Sequence, residues 1–304
     1  MSGLQPLTVL STKLLFLVSL RKIKRIFLIL LLLLLPALVL EYTSKPSLSG
    51  LEVYFLDVGQ GDAILIRNSF GQNILIDGGP DELILEKIGR ILPYTDRQID
   101  VMILTHPHAD HLIGLIAVLK RYQVDNVIYT GANYSNASYR YFRELISQKV
   151  PRITLAESNI SLDLGDDCYL NILFPFTDIS GQDFKNINNS SIVSELGCGA
   201  NKILLTGDAE KEVEKDLLEN YPDLQAQVLK LGHHGSKTAS TLEFLEQVNP
   251  SLAIILVGKD NKYNLPSPET LENLKELGLK VIRTDIAGGL KIWLTETGLN
   301  YQKL

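Results

Sequence analysis

His106, His108, Asp110 and His111 fall within six consecutive positions, at the end of the apolar run from Asp100 to Thr105. No other feature constrains the fold as much, because three imidazoles and a carboxylate gathered this closely need a common partner. Neutral imidazole and carboxylate suit zinc, manganese or iron, and a catalytic site uses about three or four protein ligands per ion with one position left open. The chain has five histidines, and the other two are adjacent in Gly232-His233-His234-Gly235-Ser236. An isolated histidine is most simply a core residue bonded to backbone. Five gathered at two glycine-flanked strand ends have no packing motive, since a buried imidazole must be partnered. The two segments are distant in sequence and must converge on one site, so no domain division at mid-chain is expected.

The surrounding pattern is that of a layered α/β domain. Residues 51–57, 63–67 and 73–77 read as a strand meander, 81–91 as an acidic amphipathic helix and 100–105 as a strand buried on both faces. Beyond them the spacing predicts helices at 111–122, 138–148, 209–219, 241–248 and 268–277. Strands are predicted at 126–130, 169–174, 191–196, 202–206, 226–231, 252–257, 280–283 and 290–294. A meander followed by strand–helix units implies mixed sheets covered by helices.

Three parts are expected: residues 1–45 as a basic N-terminus with an apolar anchor or signal segment, 46–50 as a linker, and 51–304 as the folded domain. Ile26 to Leu40 carries no charge and follows Arg21, Lys22, Lys24 and Arg25. Fifteen helical residues span roughly 22 Å against a hydrocarbon core of about 30 Å, a gap that Ile23, Tyr42 and snorkelling Lys24 and Arg25 narrow. No good cleavage site follows, so a single-pass anchor is preferred to a cleaved, secreted form. The basic cluster keeps the N-terminus cytoplasmic and places the domain outside.

Residues 1–45 hold six basic side chains against one acid, which leaves −11 for residues 46–304 out of the whole-chain −6. Such an acidic domain lacks the broad basic footprint of a duplex-DNA binder. Cys168 and Cys198 have no zinc-ribbon spacing and read as two separate buried thiols rather than a disulfide.

The His-x-His-x-Asp-His run, with Phe55 to Ala63, Leu75-Ile-Asp-Gly-Gly79, Asn188-Asn-Ser-Ser191, Leu205-Thr-Gly-Asp208 and Leu229 to Ser236, resembles the metallo-β-lactamase fold. Within it, the combination is similar to the hydrolase-like domain of ComEC-type competence DNA-uptake proteins. The resemblance covers about residues 51–296. It implies an αββα four-layer sandwich, here preceded by one N-terminal membrane-anchor helix, with two divalent ions, zinc or manganese, between the sheets. It assigns His106 and His108 to one ion, Asp110 and His111 to the other, and Asp208 as a bridge; the alternative for Asp208 is a helix cap. Of the last pair, His234 is preferred as ligand and His233 as proton donor, with Asp110 the second catalytic candidate.

Two departures bear on chemistry. No third histidine serves the first ion, and Asn188 and Asn189 stand there as weak ligands or substrate contacts, which favours manganese. Asn264-Leu265 replaces the Gly-His of related domains. Asp57, Asp62 and Asp77 either hold ligating histidines through the second ring nitrogen or make tight turns. Gly235-Ser236-Lys237-Thr238 either cradles a phosphate or turns the chain.

The resemblance implies a dinuclear phosphodiesterase linked to DNA uptake, acting on single-stranded DNA or a nucleotide. One apolar segment cannot form a polytopic pore, so a separate channel partner is expected. An ester, thioester or lactam hydrolase and a non-catalytic metal-binding module are the alternatives.

Overall fold

In a computed structural model, the described residues are 22, 24–34 and 50–304. Residues 24–34 are helical, and every side chain from Ile26 to Leu34 is exposed. The remainder of the expected anchor, 35–40, and the linker at 46–49 lie outside the described residues. Among the described residues no helix is long and apolar enough to cross a membrane.

Residues 50–304 form two sheets. The first has eight strands in the order β15-β14-β1-β2-β3-β4-β5-β6. These are β1 Leu51–Phe55, β2 Ile64–Asn68, β3 Asn73–Ile76, β4 Gln98–Leu104, β5 Gln123–Tyr129, β6 Arg152–Leu155, β14 Leu290–Thr295 and β15 Gly298–Lys303. The second has seven in the order β13-β12-β11-β10-β9-β8-β7. They are β7 Ser161–Gly165, β8 Cys168–Phe174, β9 Val193–Cys198, β10 Asn201–Leu205, β11 Val228–Lys230, β12 Leu252–Ile255 and β13 Lys280–Arg283.

Period-two burial makes the layers. In the first sheet Val53, Phe55, Ile64, Ile66, Ile74, Ile76 and Ile103 face the second sheet, where Ile203, Leu205, Val228, Leu252 and Ile254 meet them. The intervening Tyr54, Leu65, Leu75, Met102 and Leu104 pack instead on the helices Leu83–Ile91, Ala109–Arg121 and Ala137–Lys149. On the far side, Leu204, Leu229, Ala253 and Ile255 pack on Lys211–Asn220, Leu242–Val248 and Pro268–Glu276. The result is helix–sheet–sheet–helix.

Three expectations need correction. Cys168 and Cys198 are not separate thiols: they are directly paired across β8 and β9, their Cα atoms are 4.0 Å apart, and they form a disulfide. The helix expected from 209 begins at Lys211, because Glu210 is extended and its N–H bonds to Asn189 Oδ1 at 3.0 Å. Strands β6, β7 and β15, and the short helix Thr284–Ala287, were not anticipated; they carry partly exposed, mixed polar and apolar residues without a clear period.

Candidate metal centre

The chain ends of β3, β4, β10 and β11 converge where the sheets part. Leaving β4, Thr105-His106-Pro107-His108 turns into the helix at Ala109. Leaving β3, Asp77 adopts a left-handed conformation (φ 56°). β10 delivers Asp208, and β11 delivers His233 and His234, both left-handed as well (φ 46° and 53°). Three non-glycine residues in that region within one site mark a backbone held by its surroundings.

Gly114 locks two of these pieces together. A Cβ there would stand 1.8 Å from Gly78 O. The absent side chain lets Gly78 N donate to His111 O at 2.8 Å, and Gly114 N to Gly79 O at 3.0 Å.

Asp208 is central. Its Oδ2 lies 3.3 Å from His111 Nε2, 3.4 Å from His234 Nε2 and 3.9 Å from His106 Nε2. His234 Nε2 is also 3.3 Å from Asp110 Oδ2, and His106 Nε2 is 3.1 Å from His108 Nδ1. Capping does not account for Asp208, since the next helix starts three residues later; its own N–H is held by Ser191 Oγ at 3.1 Å. Ligand atoms of His106, His111 and Asp208 lie within 4.8 Å of one another, as do those of Asp110, His111 and His234.

The other face of each imidazole is fixed. His111 Nδ1 bonds to Asp77 Oδ2 at 2.8 Å, and Asp77 also accepts from Thr105 N and Oγ1 at 2.8 and 2.7 Å. His234 Nδ1 bonds to Leu256 O at 2.8 Å and lies 3.3 Å from Asp62 Oδ1. These contacts leave each Nε2 facing inward. Buried His111 Nε2, His234 Nε2 and Asp208 Oδ1 have no hydrogen-bond partner among the described residues. Orphaned buried atoms of this kind require an explanation, and a divalent cation supplies one.

Asp57 serves a turn, accepting from Gly59 N at 3.3 Å, and is the one of the three aspartates placed away from the histidines. Ser236 and Lys237 are also away from the cleft. Ser236 Oγ bonds within its own turn to Thr238, Lys237 is exposed, and the next helix starts only at Leu242. His233 is half-buried, with Nδ1 2.9 Å from Glu210 Oε1. Asn188 donates to the same Glu210 oxygen at 3.0 Å, while Asn189 holds Glu210 N and Glu212.

Two residues were missed by sequence reasoning. Lys230 is fully buried, pairs with Asp62, donates to Gly207 O at 2.5 Å and lies 3.6 Å from Asp208 Oδ1. It shares the parity of Val228, so it points between the sheets, and that parity was its signal. Glu210 was hidden because the helix was expected to begin before it.

Electrostatics follow from four buried or half-buried carboxylates. Burial opposes charge on His234, but Asp208, Asp110 and Asp62 outweigh it and raise its pKa to about 10. Burial likewise opposes charge on His111, and Asp208 with Asp77 holds it well above the usual range. His106, buried beside His111, is pushed well below it. Burial would raise Asp208, yet His234 and His111 hold it well below the carboxylate range. Without a metal, protons on His111 and His234 offset part of this negative charge.

The centre opens on a cleft of about 270 Å³, whose walls include Gln60, His108, Tyr134, His233, Tyr263 and Leu265. The sequence profile of the Metallo-beta-lactamase superfamily matches residues 56–259, which include every one of these side chains except Tyr263 and Leu265. The chain belongs to the metallo-beta-lactamase superfamily.

Members of this superfamily bind divalent metals, typically two, and the His/Asp groups above are candidate sites for them. The chain is 30% identical to ComE operon protein 3 of Bacillus subtilis over 257 residues, 79% of this chain and 32% of that protein. It is 30% identical to Competence protein ComA of Neisseria gonorrhoeae over 255 residues, 82% of this chain and 33% of that protein. The chain therefore spans about a third of the length of these curated relatives. The solved metallo-beta-lactamase fold protein YhfI of Bacillus subtilis superposes with a TM-score of 0.50 at 11% identity, covering 76% of this chain and 96% of that one. At that identity the likeness establishes a shared fold alone.

Proposed function

We propose that the chain is a dinuclear metal-dependent phosphodiesterase acting on single-stranded DNA or a nucleotide in DNA uptake. The observation that carries this reading is the pair of inward, unpartnered Nε2 atoms of His111 and His234 beside Asp208. His106, His108, Asp110, His111, Asp208 and His234 would hold the ions. Divalent ions bound there supply charge stabilisation for a phosphoryl group and lower the pKa of water.

The chain's own residues do the rest. Asp77 and the Leu256 carbonyl keep His111 and His234 in the tautomer with Nε2 bare. Lys230 orients Asp62 and neutralises part of the carboxylate charge. His233, in the cleft wall with Nδ1 anchored on Glu210, presents its other nitrogen as the proton donor to a leaving oxygen. A cleft of about 270 Å³ is small for a whole ligand, which favours entry of a phosphodiester with the rest of the substrate outside. The word competence in the name of a relative supports the link to DNA uptake.

The same reading places the domain outside the cytoplasm on a single-pass anchor. The disulfide fits an oxidising compartment, and the exposed apolar stretch Ile26 to Leu34 beside Lys24 and Arg25 fits a segment that needs lipid to cover it.

The test is hydrolysis by the full chain of bis-p-nitrophenyl phosphate against p-nitrophenyl acetate, a thioester and nitrocefin, with manganese or zinc added. Metal-dependent turnover of the phosphodiester alone is expected. Turnover confined to the carbonyl substrates would replace this reading with an ester or lactam hydrolase, and bound metal with no turnover would replace it with a non-catalytic module.

A further inference from the structure

A second cleft, of about 400 Å³, adjoins the first: Tyr134 lines both. The Tyr134 ring lies 5.6 Å from His108 on one side and 6.4 Å from Tyr139 on the other, measured between centroids. Arg140 and Arg143, one turn apart on the helix Ala137–Lys149, reach the second cleft, and Arg143 Cζ stands 6.0 Å from the Tyr139 ring.

The polar groups of this wall are unequally free. Asn133 Nδ2 already donates to Gly181 O at 2.7 Å, and Asn136 Oδ1 accepts from Ser138 N at 2.8 Å. Asp183 also lines the cleft, yet among the described residues no carboxylate oxygen lies within 4.0 Å of either guanidinium. Two arginines without a salt bridge are therefore held next to a metal-binding cleft, in a domain whose residues 46–304 sum to −11 out of the whole-chain −6. Guanidinium binds phosphate through a planar fork, and an aromatic ring between phosphate sites is the arrangement that receives a single strand.

We propose that Tyr134, Arg140 and Arg143 form a subsite for the neighbouring nucleotides of a single-stranded nucleic acid whose scissile phosphate lies at the metal centre. The strand leaves the centre past His108, stacks a base on Tyr134 and sets its next phosphates on Arg140 and Arg143. The substrate is then an oligonucleotide rather than a mononucleotide, an inference that rests on the phosphodiesterase reading.

The test is fluorescence anisotropy of the full chain with a fluorescein-labelled phosphorothioate oligothymidylate of eight nucleotides, titrated across salt concentrations. R140A/R143A is expected to weaken binding about tenfold and to lower the slope of log Kd against log salt by roughly 1.4, the value for two lost phosphate contacts on a single strand. R140K/R143K should recover most of the slope but not all of the affinity. K275A/K280A, which removes two cations that line neither cleft, should stay within twofold of the parent. Binding by R140A/R143A within twofold of the parent, or equal losses in R140A/R143A and K275A/K280A, would overturn the subsite. Arginine-dependent binding in a protein that fails to hydrolyse bis-p-nitrophenyl phosphate would keep the subsite and remove the phosphodiesterase reading.

Discussion

Replacing glycine by alanine should have opposite effects in two neighbouring helices. At Gly114 the new Cβ would lie 1.8 Å from Gly78 O, where real Cβ contacts stay beyond 3.0 Å, so helix and corner must separate by more than an ångström. That movement breaks the hydrogen bonds from Gly78 N to His111 O and from Gly114 N to Gly79 O. Overpacking costs about 1–3 kcal/mol. Two lost bonds add about 0.5–1.5 kcal/mol each. G114A should therefore lose about 2–6 kcal/mol, which at about 2–4 °C per kcal/mol for a domain of this size lowers Tm by roughly 5–20 °C. It should also weaken metal binding, because Asp77 precedes Gly78 and is pulled from His111. At Gly89, on the exposed side of Leu83–Ile91, a Cβ meets nothing within 4 Å. G89A should gain about 0.5–1 kcal/mol from helix propensity and reduced unfolded-state freedom. Urea midpoints of both variants and the parent decide the matter. A G114A protein as stable as the parent, or a destabilised G89A, would refute the packing argument.

Three further outcomes are expected. C168S/C198S removes a link across 30 residues and should cost about 3–4 kcal/mol, read as a lower urea midpoint that dithiothreitol reproduces in the parent. K230M strands Asp62 and Asp208 without their cation and should destabilise the metal-free protein by about 3–5 kcal/mol, a loss that added manganese partly restores in thermal unfolding. Burial lowers the His234 pKa, but Asp208, Asp110 and Asp62 outweigh it and hold the folded value at about 10, above the ordinary 6.5. A raised pKa contributes stability that is complete below about pH 6.5 and is lost as pH climbs towards 10, so Tm measured in chelator should fall across that window. Metal affinity should rise across the same window as the competing proton leaves.

The histidine groupings were legible because ligand chemistry is written in residue identity, and the layered α/β class because a strand meander followed by strand–helix units needs helices to cover its sheets; the αββα order came with the family resemblance. Other features depend on pairing that no local pattern encodes. The disulfide needs the β8–β9 register that sets Cys168 opposite Cys198. Lys230 needs the knowledge that β11 turns its even-numbered positions between the sheets, where Asp62 waits from another strand connection. His233 and His234 are equivalent in sequence. Their left-handed backbone sends one imidazole inward to Asp208 and the other to Glu210. Tyr134 and the two arginines carried no signal, since exposed arginines on a helix are ordinary until a cleft is seen beside them.

The most direct test of the account is metal content. The 304-residue chain, dialysed against buffer after loading with manganese or zinc, should hold two ions by elemental mass spectrometry, and D208N fewer than one. A parent protein that retains no ion, or a D208N protein that retains two, would contradict a centre built around Asp208.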